Sequence, residues 1–258
     1  MKSYLCFDLG TTKIKSSLIG ENGEIIYLSE VEAKTYNEGD AAYQKPDEYF
    51  EVVIGEIKKI REKYEDEFKK AEHFICSGQM AGILGIDKNW KVAFPWTYSV
   101  DIRYISYLSE VEKKIGDKIR KYSGGVPTMA AKILWIKDSY PEDYKKIYKF
   151  INLTTYVSGK ICNLKGDSAF IDYSCLAMNG LADVKEGKWN NNICSELKIN
   201  IKKLPRILRP FECIGYIDKD KFGTEKDIEV LVGCGDQIAG FIGAGIINNS
   251  SLVDVAGT

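Results

Sequence analysis

A single histidine, His73, stands in 258 residues, and the seven cysteines (Cys6, Cys76, Cys162, Cys175, Cys194, Cys213, Cys234) never form a C-x-x-C pair. So few nitrogen and sulfur ligands at metal spacing leave a zinc site poorly supplied. The odd, scattered cysteines read instead as buried reduced thiols of a cytoplasmic protein. Charge of one sign is also lacking, since 36 basic against 37 acidic residues give a formal net charge of −1. No excess positive field gathers nucleic acid or an anionic membrane, so any anionic ligand has to be held locally. No helix-turn-helix with basic excess is visible. Nowhere do eighteen apolar residues run together, which excludes a spanning helix. The opening MKSYLCFDLG carries an aspartate at position 8 and lacks the long apolar core of a secretory signal. The expectation is a soluble cytoplasmic protein with no nucleic-acid or membrane partner.

What is present is core-forming material, 45% hydrophobic and 28% charged, enough for one large core or two small ones. Residues 3–8 read as a buried strand and residues 13–20 as a second. Asn22-Gly23 signals a two-residue type I′ hairpin, which needs positive φ at both positions, and residues 24–31 form a third strand. The Gly-Thr-Thr turn at 10–12 therefore passes from strand to strand, whereas Walker and Rossmann phosphate loops pass into a helix. From Pro46 onward apolar residues recur at three- and four-residue steps through Phe68, a helix whose interleaved Lys and Glu form a solvated face. Residues 73–76 are a fourth strand and 83–87 a fifth, continuing around 92–94. Helices are expected over 102–122, 129–139 and 143–158. A strand over 228–234 (IEVLVGC) leads into a small-residue helix over 236–247, and SLVDVAGT is one more strand that stops at Gly-Thr, so the pattern is expected to continue beyond Thr258.

Three stretches could carry chemistry. In Asp8-Leu9-Gly10-Thr11-Thr12-Lys13, glycine admits close backbone approach, and successive N–H groups with two hydroxyls can hold phosphate oxygens. Asp8 at the strand end could hold Mg²⁺ directly or through water. A tight turn capped by Asp8 accounts equally well for the same residues. In Gly233-Cys234-Gly235-Asp236-Gln237, Asp236 is either the N-cap of the following helix or a general base, uses that compete for the same oxygens. Gly240, Gly243, Ala244 and Gly245 read as close helix packing. Gln79, Asp101 and Arg103 follow strand-like segments and can bond sugar hydroxyls, or the latter two can form a surface ion pair.

Taken together and in order, these pieces resemble the FGGY carbohydrate kinases of the actin-like ATPase superfamily. FDLGTTKIKSSLI resembles the first phosphate motif, and the ENGEI hairpin follows it. SGQMAGILGID is similar to the Gln-Met-His-Gly substrate segment, VDIR to the Asp-x-Arg, and IDYSCLAMNGLADVKEGKW to the Asp-x-Ser-x-x-Ala stretch with its trailing aspartate and tryptophan. KLPRILRPFECIGYI resembles the Leu-Pro and Ile-Gly region. LVGCGDQIAGFIGAG is similar to the catalytic-base segment and DVAGT to the start of the second phosphate motif.

The resemblance implies an α/β fold of the actin-like ATPase or ribonuclease H-like kind, with a mixed sheet opening in a three-strand antiparallel meander and helices on both faces. Residues 1–246 would be the sugar-binding and catalytic domain, and 247–258 the start of a nucleotide-binding domain. It implies ATP-dependent phosphorylation of a sugar hydroxyl, of a ketopentose such as xylulose or ribulose first. A kinase for glycerol, gluconate or a deoxyhexose, and a non-catalytic sugar sensor on the same scaffold, stay open. Asp236 would be the base and Asp8 the Mg²⁺-associated carboxylate. Gly10, Thr11, Thr12, Lys13, Gly257 and Thr258 would contact the ATP phosphates, and Gln79, Met80, Asp101 and Arg103 would face the sugar. Self-association as a homodimer stays open too. Two features depart from the pattern: Ala81 stands where xylulokinase-like members carry histidine, and the second lobe that holds the adenosine has no counterpart here.

Overall fold

The computed structural model describes residues 2–246 and Leu252. Its first strand, β1 (Ser3–Leu9), alternates in burial, and Leu5, Phe7 and Leu9 all face one core. That period of two places Asp8 on the opposite face from Leu9. β2 (Lys13–Gly20) and β3 (Ile25–Glu32) complete an antiparallel meander. The hairpin between them differs from the type I′ expectation. Gly23 has φ +83° but Asn22 has a negative φ. The Gly23 N–H donates to Gly20 O at 2.9 Å, and the Gly20 N–H to Glu24 O at 2.8 Å. The result is a three-residue loop ending in a left-handed glycine, with the Asn22 side chain accepting from the Glu24 N–H at 3.1 Å.

β1 also pairs in parallel with Ala71–Gly78, and that strand pairs in parallel with Glu229–Leu231 and Cys234–Gly235. Cys213–Tyr216 closes the edge of this seven-stranded mixed sheet, which has helices on both sides as expected. The strand read as continuous over 228–234 is interrupted at Gly233, whose φ is +78°. A Cβ there would lie 1.9 Å from Cys76 O, so only glycine lets the chain approach its neighbour and re-enter the sheet.

The helix expected from Pro46 is α1 (Pro46–Lys63), with proline in its first turn, Asp47 and Glu48 near its start, and Arg61 and Lys63 near its end. Its stripe of Tyr49, Phe50, Val53, Ile54, Ile57 and Ile60 is buried in the core beneath β1 and β2. Each such side chain contributes about 1.5–3 kcal/mol by leaving water.

A second, five-stranded sheet runs Tyr36–Glu38, Ala41–Gln44, Val92–Thr97, Ile83–Ile86, Lys149–Ile151. It packs on the helices Ile105–Lys118 and Thr128–Ser139 around Ile83, Phe94, Trp135, Ile136 and Phe150. The single helix expected over 143–158 is instead Pro141–Lys146, the strand Lys149–Ile151 and the helix Leu153–Ile161. Phe150 and Ile151 pair with Gly85 and Leu84, a contact that a three-residue segment with two apolar residues cannot announce locally. The seven cysteines are free; Cys76 and Cys194 are buried, but Cys213 is exposed, so burial does not hold for all of them. Among the described residues, no helix is long and apolar enough to cross a membrane.

Candidate active site

Three parallel strand ends meet at one edge of the main sheet. In register, Leu9 lies beside Gly78 and Gly78 beside Gly235, so the turn after β1 and the residue after Gly235 leave the sheet side by side. Two strand spacings place these two exits about 10 Å apart. The turn after β1 carries Gly10, Thr11 and Thr12; the residue after Gly235 is Asp236.

The turn is tied down by its carbonyls. The Tyr49 hydroxyl donates to Gly10 O at 3.0 Å, the Gln44 amide to Thr11 O at 2.9 Å, and the Ala33 N–H to Thr12 O at 2.9 Å. By contrast, no described residue accepts from the N–H groups of Gly10, Thr11 or Thr12. Fixed carbonyls with free amides make a concavity suited to an anion. Gly10 is sterically required, since a Cβ would lie 2.7 Å from Lys13 O. Thr12 is exposed, and Lys13, also exposed, pairs its ammonium with Glu30 across the β2–β3 ladder.

Asp8 sits one residue before the end of β1 and accepts from Ser77 Oγ at 3.3 Å. Its other oxygen has no donor among the described residues. Magnesium binds through one or two carboxylates together with substrate phosphates and water, and this open oxygen beside the amide turn fits that pattern. No group of three or more His, Cys, Asp or Glu gathers into a cation cage among the described residues.

Asp236 opens the helix Asp236–Gly243, while Gly235 occupies the N-cap position without a side-chain cap. One carboxylate oxygen, Oδ1, accepts from the Gln237 N–H at 2.7 Å. The second has no donor among the described residues and is free to accept a proton. Burial first, and then the Asp8 charge, push the Asp236 carboxyl above its ordinary range, against the lowering effect of the Gln237 N–H. A half-buried carboxylate of raised basicity that shares a sheet edge with an anion cradle is equipped for general-base work.

The strand that delivers Asp236 is held by a polar chain. Ser174 Oγ accepts from the Gly235 N–H at 2.8 Å and itself donates to Asp172 Oδ1. The Ser174 N–H donates to the same oxygen at 2.9 Å, and Asn152 Nδ2 donates to Asp172 Oδ2 at 3.3 Å. Asn152 also caps the helix Leu153–Ile161. The Asp-x-Ser motif, Asp172 and Ser174, therefore positions the backbone from which Asp236 leaves the sheet.

The four residues expected to face a sugar are placed differently from one another. Gln79, 4% exposed, spends its amide N–H groups on Gln44 Oε1 at 2.8 Å, the Tyr49 hydroxyl at 3.2 Å and Gly10 O at 3.5 Å, while its Oε1 has no partner. It thus braces the amide turn from below. Met80 packs against the Cys234–Gly235 strand; a Cβ on Gly235 would lie 2.4 Å from its sulfur. Ala81 has φ +61°, a left-handed conformation uncommon for a residue with a Cβ. Asp101 is fully buried and grips Arg103 bidentately, Oδ1 to Nε at 3.0 Å and Oδ2 to Nη2 at 2.7 Å, while the guanidinium stacks on Trp135 and bonds Tyr140. The pair is buried on its acidic side, which excludes an ordinary surface ion pair. Gly257 and Thr258 lie outside the described residues.

Sequence reasoning missed Gln44, Tyr49, Asn152 and Lys132. Asn152 carried a signal, an asparagine between an apolar run and Thr-Thr, the mark of an N-cap. Lys132 carried another, a lone lysine within the apolar run Met129–Ile136 of a helix. Gln44 and Tyr49 carried none, because they act through tertiary contacts.

Residues 3–243 match the N-terminal domain of the FGGY family of carbohydrate kinases. The chain is 26% identical over its whole length to a xylulose kinase of Bacillus subtilis, covering 52% of that protein. It is 24% identical to a gluconokinase of the same organism, again over its whole length, covering 51% of that protein. In structure, 95% of the chain superposes on 50% of a ligand-bound xylulose kinase from Lactobacillus acidophilus, with a TM-score of 0.85 at 21% identity. The chain spans about half the length of the curated relatives it matches.

Proposed function

Because the chain belongs to the FGGY family of carbohydrate kinases, we propose that the protein carrying it transfers the γ-phosphoryl group of ATP to a hydroxyl of a sugar, with Asp236 as general base. The observation that supports this most is the shared sheet edge. From that edge emerge both Asp236, with one carboxylate oxygen free, and the turn with the unpartnered amides of Gly10, Thr11 and Thr12.

In this reading the sugar hydroxyl donates its proton to the free oxygen of Asp236. The alkoxide-like oxygen attacks the γ-phosphorus in line, and the bond to the β–γ bridging oxygen breaks, releasing ADP. The proton stays on Asp236 until the product leaves. The amides of the turn receive phosphoryl oxygens, with the Thr11 and Thr12 hydroxyls beside them. Lys13 would add its charge only by leaving Glu30. Asp8 is the carboxylate that would hold Mg²⁺, which when bound supplies neutralising charge for the phosphates. Met80, with Gln79 behind it and the Asp101–Arg103 pair nearby, forms the sugar side. Gly257 and Thr258 are assigned to the second phosphate motif, with residues 1–246 as the sugar-binding and catalytic domain and 247–258 as the start of the next. Nearly all the rate comes from positioning and charge neutralisation.

A ketopentose such as xylulose or ribulose is the first substrate class, following the xylulose kinase likeness. A sugar acid or polyol is a second, the sugar acid following the gluconokinase likeness. A phosphorylation screen of the intact protein with Mg²⁺-ATP across ketopentoses, gluconate, glycerol and deoxyhexoses decides between them. Transfer to none of these would refute the kinase reading.

A further inference from the structure

Lys132 is fully buried on the helix Thr128–Ser139, and no carboxylate pairs with it among the described residues. Its ammonium instead donates to three backbone carbonyls, Ala81 O at 2.9 Å, Thr97 O at 2.9 Å and Tyr98 O at 3.0 Å. An ammonium has three donors, and all three are spent. The Tyr104 ring covers it, with its centroid 4.7 Å from Nζ.

The acceptors come from two separate segments, and both lie beside the sugar side of the site. Ala81 follows Met80, which packs against the strand that carries Asp236. Thr97 and Tyr98 lie just before the Asp101–Arg103 pair. Ala81 holds its strained φ of +61°, and Gly82 is pressed so tightly on Trp96 that a Cβ would lie 2.0 Å from the ring. Strain of this kind persists only where the surroundings over-determine it. The hydrogen bond from Lys132 to the Ala81 carbonyl is one such determinant.

We propose that Lys132 is a positioning residue for substrate affinity: it clamps the Met80–Ala81–Gly82 turn to the Thr97–Tyr98 segment and so sets the width of the sugar pocket. This deepens the kinase reading and rests on it. The clamp is also sensitive to pH. Burial pushes the Lys132 amine down to about 7, with Asp101 partly restoring it and Arg103 opposing. Asp101, Arg103 and Tyr104 are the charged and titratable groups that face it. Below that value the ammonium serves all three carbonyls; above it the neutral amine has two donors, and one carbonyl is left unpaired.

The test uses the intact protein. Wild-type KM for the sugar should rise about tenfold between about pH 6 and pH 8.5, a change worth about 1.4 kcal/mol, while KM for ATP stays level. Lys132→Met should show the high KM at every pH with kcat little changed, and Lys132→Arg, which stays charged, should flatten the profile. Hydrogen exchange gives a readout that does not need turnover: raising the pH, or Lys132→Met, should deprotect residues 80–82 and 97–101 together, after correction for intrinsic exchange. Unchanged protection in those segments overturns the clamp even if the enzyme is active. Coupled deprotection without phosphoryl transfer to any polyol would support the clamp and refute the kinase reading. Should Lys132→Met fail to fold, Lys132→Gln takes its place in the same exchange measurement, and unchanged protection of residues 80–82 and 97–101 refutes the proposal.

Discussion

Replacing Ser174 by alanine removes one oxygen and disturbs three elements at once. The buried Gly235 N–H loses its acceptor at 2.8 Å. Orphaning a buried donor costs about 1–3 kcal/mol. Asp172, nearly fully buried, loses the hydroxyl but keeps the Ser174 N–H at 2.9 Å and Asn152 at 3.3 Å, so its loss is partial. The sum is about 2–4 kcal/mol, which in a chain of this size lowers the melting temperature by roughly 5–15 °C. The next residue after Gly235 is Asp236, the proposed base, so freeing this strand also lets it drift. A displacement of about 1 Å at a reacting group costs on the order of 10² in rate. Thermal unfolding followed by circular dichroism, with steady-state kinetics on the intact protein, measures both effects. Ser174→Thr, which keeps a hydroxyl, should recover most of each. A Ser174→Ala protein that melts within about 1 °C of wild type with kcat within twofold would refute the positioning argument.

Two further outcomes follow from the same geometry. Gly10→Ala forces a Cβ against Lys13 O, which is fixed in β2; it should raise the KM for ATP and destabilise the chain by about 1–3 kcal/mol, measured by kinetics and denaturant titration. Asp236→Asn should stabilise the fold at neutral pH, because the folded state holds this carboxyl above its ordinary range and so disfavours its ionised form. The favourable protonated form is complete below the ordinary value of 3.8, so the melting-temperature gain should vanish as pH falls through that value. A gain that instead grows toward acid would reverse the sign and exclude the burial argument.

The meander, α1 and the two motif-bearing turns were legible because their signals are local: alternation in FDL and KIKSSLIG, a helical stripe after Pro46, glycines where backbones meet. What was not legible depends on tertiary contact. Lys149–Ile151 becomes a strand only by pairing with Ile83–Ile86. The Asn22-Gly23 hairpin takes a third residue, because its strands shift register between Leu18 and Ile19. At the site, residue types pointed to Asp8, Gly10 and Asp236, but they could not show that Gln79 turns its amide toward Gly10 or that Asp101 is sealed from solvent. Ser174 was visible as a motif residue, and its task became visible only when Gly235 came to lie against it.

The central claim is that the free oxygen of Asp236 takes a proton from the hydroxyl to be phosphorylated. Asp236→Asn keeps an oxygen for the Gln237 N–H and removes only the basicity, so the test is kcat and sugar affinity of the intact variant side by side. The account predicts a fall in kcat of about 10² to 10⁴ with the sugar dissociation constant changed by less than about threefold. Turnover within about tenfold of wild type would contradict it.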